Sequence, residues 1–181
     1  NIFIITFAII FSLGLFGWLV SKDARDDLNQ KDGFIIITFF WVVLSIAGSI
    51  PFILIGMPLV DAFFESMSGI TTTGATVISN LDDLPESVLF YRQLLQWMGG
   101  MGLIVLAIAV MPLLGIGGGQ IYKTEIPGAM NDQKLTPRIK ETAQALWLIY
   151  LVLTVFCALF YYFAGMNGFD AVSHSLSTVS I

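Results

Sequence analysis

Charge is what this sequence has least of. Only 12% of its 181 residues are charged and 56% are apolar, whereas ordinary globular domains carry about 25% charged residues. The charges are bunched, leaving long uncharged runs between them. About 20 apolar residues, rising about 1.5 Å each, cover a hydrocarbon core about 30 Å thick. That pattern excludes a soluble domain. Cysteine is almost absent too: Cys157 stands alone in an apolar run, so it forms no internal disulfide and no cysteine-based metal site. It reads as a small lipid- or core-facing residue. The net charge of −5 is small, selects no partner and gives no ground for expecting nucleic acid. No nucleophile–base pair and no hydrolytic metal cluster stands out, so no enzyme is expected.

What is present is a set of membrane spans. Four are expected: Asn1 to Val20, about Gly33 to Gly56 with Pro51 near its outer end, about Val88 to Leu114, and about Thr142 to Gly165. Trp18, Trp41, Trp97 and Trp147 are placed near span ends, as an aromatic belt requires. No basic region precedes the first run and no small-residue cleavage pattern follows it, which does not fit a cleavable signal peptide. Both chain ends are expected to be boundaries within a longer protein.

The basic residues orient these spans. Lys22, Arg25 and Lys31 follow the first span, and Lys123, Lys134, Arg138 and Lys140 follow the third. Between spans two and three only Arg92 is basic, beside Asp82, Asp83 and Glu86. Seven of eight basic residues thus fall in two alternate loops, which the positive-inside rule makes cytoplasmic. Segments 57–87 and 166–181 then face outward.

The stretch from Met57 to Thr76 does not suit a solvated loop. Ala62, Phe63, Phe64, Met67 and Ile70 are too apolar for one, yet the run is too short to span. Apolar runs of about 10–14 residues suit re-entrant segments, so a half-helix from about Leu59 to Gly69 is expected, followed by an extended return. The return, Thr71-Thr-Thr-Gly-Ala-Thr76, has the chemistry of an ion path. Backbone carbonyls can replace a cation's hydration shell, extended backbone is tolerated at depth where it lines a wet cavity, and Gly74 can turn its carbonyl toward an axis. The carboxyl end of a half-helix aimed at that point favours a cation. Alone, such a run is also a common surface turn.

The stretch recurs. Gly56, Met57, Asp61, Ala62, Ser66 and Ser68 match Gly165, Met166, Asp170, Ala171, Ser175 and Ser177, each pair 109 residues apart and without gaps. Each copy follows a span at its outer end, and two spans separate the copies, so both loops enter from one side. The unit is span, re-entrant loop, span, repeated in parallel about an axis along the membrane normal. Two copies cannot close a four-part ring, so further repeats are expected outside this chain.

These residues resemble the potassium-uptake subunits of the Trk/Ktr/HKT superfamily, most closely its bacterial TrkH-like members. The resemblance spans essentially the whole chain and rests on Ser66-Met-Ser-Gly-Ile-Thr-Thr-Thr-Gly-Ala-Thr76, Phe90-Tyr-Arg-Gln-Leu-Leu-Gln-Trp-Met-Gly-Gly-Met-Gly102, Lys134-Leu-Thr-Pro-Arg-Ile-Lys-Glu-Thr-Ala143 and Ser177-Thr-Val-Ser-Ile181. It implies an all-α membrane protein: four covalently joined span–pore loop–span repeats around one potassium-channel-like pore, preceded by two extra helices. Residues 1–32 are then an extra helix and cytoplasmic loop, 33–114 the first repeat, 115–141 a cytoplasmic linker, and 142–181 the first span and partial loop of the second repeat. By position, Thr72, Thr73, Gly74 and Ala75 match the first K+ selectivity-filter segment, and Ile181 matches the start of the second. The resemblance further implies a homodimer in the cell inner membrane over a cytoplasmic ring of nucleotide-binding regulatory subunits. K+ is the transported ion, with Rb+ and Na+ as related cations, and no covalent cofactor is implied. With one obvious glycine per filter segment, cation conduction is read more firmly than K+ over Na+ selectivity. Two other classes stay open: a secondary transporter coupling K+ to H+ or Na+, and a non-conducting membrane scaffold.

Other residues carry narrower expectations. Met98-Gly-Gly-Met-Gly102 should pack against a neighbouring helix. Gly115-Ile-Gly-Gly-Gly119 should be a hinge, because it lacks the glycine spacing of a phosphate loop. Arg92 is expected to pair with Asp82, Asp83 or Glu86 or to reach headgroups, and otherwise to shape the pore entrance. Asp61 and Asp170 are expected as helix caps. Glu65 and His174, at equivalent positions, either face an outer vestibule or act on the ion path.

Overall fold

The computed structural model describes residues 2–22, 30–81, 84–110 and 135–180. Ile181, Asp82, Asp83, Gly115–Gly119 and most of the 115–141 linker lie outside the described residues. Among the described residues six helices follow one another: α1 (Ile2–Ser21), α2 (Gln30–Leu54), α3 (Leu59–Ile70), α4 (Glu86–Val110), α5 (Leu135–Phe163) and α6 (Gly168–Ser180). No strand occurs among the described residues. Ile2–Ser21, Ile35–Leu54 and Glu141–Phe163 are long and apolar enough to cross a membrane. α4, with 25 residues, has the length at about 1.5 Å per residue. The 12 residues of α3 and 13 of α6 do not reach across about 30 Å.

The helices outside the short ones are clothed in apolar side chains. Of α1 only Thr6 is buried, its hydroxyl returned to the Ile2 carbonyl at 3.1 Å. Phe7, Phe16, Phe39, Val43, Phe160 and Phe163 are exposed, which suits a surface solvated by lipid. The packed centre is Phe52, Ala62, Ile70, Val88 and Leu95, where α2, α3 and α4 meet. Tyr91 of α4 ties three helices. Its ring lies 5.4 Å from both Phe3 and Phe52, and its hydroxyl donates to the Gly48 carbonyl at 2.9 Å.

The sequence repeat is a structural one. After α2, Gly56 takes φ +97° and Met57 N–H returns to the Phe52 carbonyl at 3.1 Å. After α5, Gly165 takes φ +102° and Met166 N–H returns to the Tyr161 carbonyl at 3.1 Å. Only glycine adopts that dihedral without strain, which accounts for its place in both copies. The matched alanines and serines are also explained. Ala62 and Ser66 are fully buried, as are Ala171 and Ser175 to within 2%, and Ser66 lies against Gly48 of the preceding span.

The starts of the short helices differ from expectation. Pro58, not Asp61, caps α3, and no side chain bonds to its free N–H groups. In α6 the cap is Asn167, which accepts from Asp170 N–H at 2.8 Å while its amide donates to the Asp170 carboxylate at 2.7 Å. That is an N-cap bond, with the aspartate carboxylate held by the side-chain amide of the cap.

Two of the four tryptophans are internal, not part of a belt. Trp41 lies mid-way along α2 against the core. Trp97 lies mid-way along α4 and donates to Thr154 of α5 at 3.0 Å, and Tyr150 donates to the Trp97 carbonyl at 3.0 Å. These bonds join the two copies. Hydrogen bonds between membrane helices contribute about 0.6 kcal/mol on average. Tyr150→Phe should therefore lower thermal stability in detergent only slightly, with ion flux retained. A collapse of the fold would show the junction to be far stronger than this.

Candidate functional site

The geometry of interest begins with how deep α3 reaches. From the turn at the end of α2 the chain doubles back along that helix. Ser66 lies against Gly48, and Ser45 donates to the Met67 sulfur at 2.8 Å, so α3 ends level with the middle of α2. On its other side the end of α3 meets the middle of α4. A Cβ at Gly99 would lie 2.7 Å from the Ile70 carbonyl carbon and would overlap its oxygen. The next residue does the same for the second copy, since a Cβ at Gly100 would lie 3.1 Å from Ser180 Cβ. The expected packing role of this glycine cluster is thereby located. α4 holds the carboxyl ends of both short helices on adjacent residues.

The return follows from there. Thr71, Thr72, Thr73 and Gly74 each turn their N–H back to the end of α3. Their acceptors are the carbonyls of Met67, Gly69, Ser68 and Ser68, at 2.9, 2.9, 2.9 and 3.4 Å. In a planar trans peptide the N–H and the preceding carbonyl point in opposite directions. The carbonyls of Thr71, Thr72 and Thr73 are therefore directed away from α3. The backbone manages this by alternating the sign of φ: −82° at Thr71, +57° at Thr72, negative at Thr73, +72° at Gly74. A left-handed threonine is strained by about 1–2 kcal/mol, and at Gly74 the same conformation is free.

Beyond Gly74 the segment is tied by side chains. Ser68 donates its hydroxyl to the Ala75 carbonyl at 2.6 Å. Glu65, only 3% exposed, accepts from the Thr76 hydroxyl and from Val77 N–H at 2.7 Å. Its other oxygen meets Arg92 Nε at 3.0 Å. Arg92 thus pairs inward with Glu65, a partner the sequence did not suggest; Asp82 and Asp83, two of its expected partners, lie outside the described residues. Glu65 faces the protein interior, not a vestibule. His174 is exposed, with its ring 6.5 Å from that of Tyr161.

Of the residues singled out from sequence, Thr72, Thr73, Gly74 and Ala75 lie together on this return. Ile181 is outside the described residues. Thr71, Ser68 and Thr76 were not singled out as site residues. The repeat offered a signal for one of them, since Ser68 recurs as Ser177. No group of three or more histidine, cysteine or acidic residues able to hold a metal occurs among the described residues.

Comparison with known proteins decides the lineage. The profile of the TrkH family, described as cation transport protein, matches residues 1–181. The chain belongs to the TrkH family. Its relatives include the Trk system potassium uptake protein TrkH of Vibrio parahaemolyticus, 54% identical over 99% of this chain and 38% of that protein. The TrkH protein of Escherichia coli K12 is 51% identical over 97% of this chain and 37% of its own length. The crystal structure of the potassium transporter TrkH from Vibrio parahaemolyticus superposes with a TM-score of 0.81 at 49% identity, covering 98% of this chain and 35% of that one. This TrkH-family chain therefore spans rather more than a third of the relatives it matches. With its apolar spans, it is a membrane protein.

Proposed function

We propose that the chain is part of a potassium-uptake protein that passes K+ into the cell through a pore, with Thr72, Thr73, Gly74 and Ala75 forming one quarter of a backbone-carbonyl filter. The observation that carries this reading is the set of N–H groups tied back to α3. They leave successive carbonyls turned away from it, at the level of the middle of both flanking helices. Thr71 joins the set through its carbonyl, and Ala75 enters with the lone pair that Ser68 leaves free. The short helix adds its partial negative charge at the same point. In this reading residues 1–32 are an extra helix and loop, 33–114 the first span–loop–span unit, 115–141 a cytoplasmic linker, and 142–181 the start of a second unit whose filter begins at Ile181. The protein is multi-pass in the inner membrane, with both loops facing outward. It pairs as a homodimer over a ring of cytoplasmic nucleotide-binding subunits.

The test is ion flux into liposomes holding the full-length protein. Uptake of Rb+ down its own gradient, faster than Na+ and indifferent to an imposed proton or sodium gradient, is expected. Flux that follows either gradient would make the protein a coupled transporter, and absence of flux would leave a scaffold.

A further inference from the structure

We propose that Glu65 and Arg92 are a positioning pair that holds the first filter segment at its working width, given that residues 71–76 are the filter as read above. The Glu65 side chain is 1% exposed and both of its oxygens are used. One takes the Thr76 hydroxyl and the Val77 N–H, and the other takes Arg92 Nε at 3.0 Å. A single carboxylate thereby joins the short helix, the returning chain and α4. A lone carboxylate buried in this way would cost several kcal/mol. Arg92 offsets that cost, and the pair leaves no net charge beside the ion path.

Within this chain the returning segment is held by polar ties: Ser68 to the Ala75 carbonyl, and Glu65 to the Thr76 hydroxyl and the Val77 N–H. A filter that discriminates between cations depends on the number and placement of its carbonyls, so loosening these ties should affect the choice between ions before it affects passage. In the second copy the position of Glu65 is held by His174, which carries no carboxylate.

The test compares Rb+ and Na+ flux into liposomes for full-length wild type, Glu65→Gln, Thr76→Val and Gly74→Ser. Thr76→Val keeps the branched shape and removes only the hydroxyl that Glu65 holds. A loss of folded protein would lower both fluxes together and leave their ratio alone, so the ratio is the readout. Glu65→Gln is expected to lower the Rb+/Na+ ratio roughly tenfold and Thr76→Val roughly threefold, with Rb+ passage itself retained. Should Glu65→Gln fail to fold, Thr76→Val decides the matter alone. An unchanged ratio in Thr76→Val and in any folded Glu65→Gln, with a lowered one in Gly74→Ser, would overturn the brace and keep the filter. A ratio indifferent to all three variants would remove the filter reading, and the brace with it.

Discussion

Gly99→Ala should nearly abolish folded, conducting protein. A Cβ on Gly99 would overlap the Ile70 carbonyl oxygen and lie 2.7 Å from its carbon. Both are backbone atoms at the end of a helix already pressed against α2, so neither can swing aside. Either α3 moves away from α4 or α4 bends. Overpacking of this kind usually costs about 1–3 kcal/mol and sometimes more, and a contact with backbone belongs at the upper end. The displaced residue also directly precedes the return, so the carbonyl positions would shift with it. Gly102 is the control in the same motif: a Cβ there has nothing within 4 Å, and alanine favours a helix by about 1 kcal/mol. Gly102→Ala should keep its unfolding temperature and flux, whereas Gly99→Ala should lose at least tenfold in flux and several degrees in unfolding temperature. Equal behaviour of the two variants would mean that the close approach of α3 and α4 is not as described.

Gly74→Ser should leave a folded protein that no longer discriminates between cations. Gly74 sits at φ +72°, where a residue with a Cβ pays about 1–2 kcal/mol. The segment already bears one such strain at Thr72, at φ +57°, and a second gives the chain reason to flip the peptide between Thr73 and Gly74. That flip would break the Gly74 N–H bond to the Ser68 carbonyl, which at 3.4 Å is the longest of the four. It would also turn the Thr73 carbonyl away from its neighbours. With the added strain confined to one residue, stability should change by less than about 2 kcal/mol. The Rb+/Na+ flux ratio should fall roughly tenfold or more. Unaltered discrimination in a folded Gly74→Ser protein would show that this residue does not contribute to the filter.

Much of this architecture was legible in the residues because the membrane imposes simple rules on them. Span length, the clustering of lysine and arginine and the gapless recurrence at Gly56 and Gly165 each have one dominant physical cause, and the turns at both glycines share one set of hydrogen bonds. What the sequence left hidden was the choice of partners. Arg92 stands nearer in the chain to Asp82, Asp83 and Glu86 than to Glu65, and only the doubling-back of α3 brings Glu65 within 3.0 Å of it. A buried acid and Arg92, the one basic residue between Lys31 and Lys123, were a legible pair in chemistry, but not in distance along the chain. Trp41 and Trp97 were misplaced for a related reason: tryptophan suits both the membrane interface and a helix–helix contact where its N–H finds an acceptor. Thr154, which supplies that acceptor for Trp97, is far away in sequence. The caps at Pro58 and Asn167 were missed because aspartate is favoured both at a cap and in the first turn, and Asp61 and Asp170 occupy the turn.

The central claim is that a cation sits on the carbonyls of the Thr71–Ala75 return. The most direct measurement is anomalous scattering from Rb+ in crystals of the full-length protein grown without K+. A peak is expected on the pore axis, facing the carbonyls of Thr72 and Thr73 and weakened by excess K+. Rb+ bound only elsewhere, with those carbonyls facing nothing but protein or lipid, would contradict it.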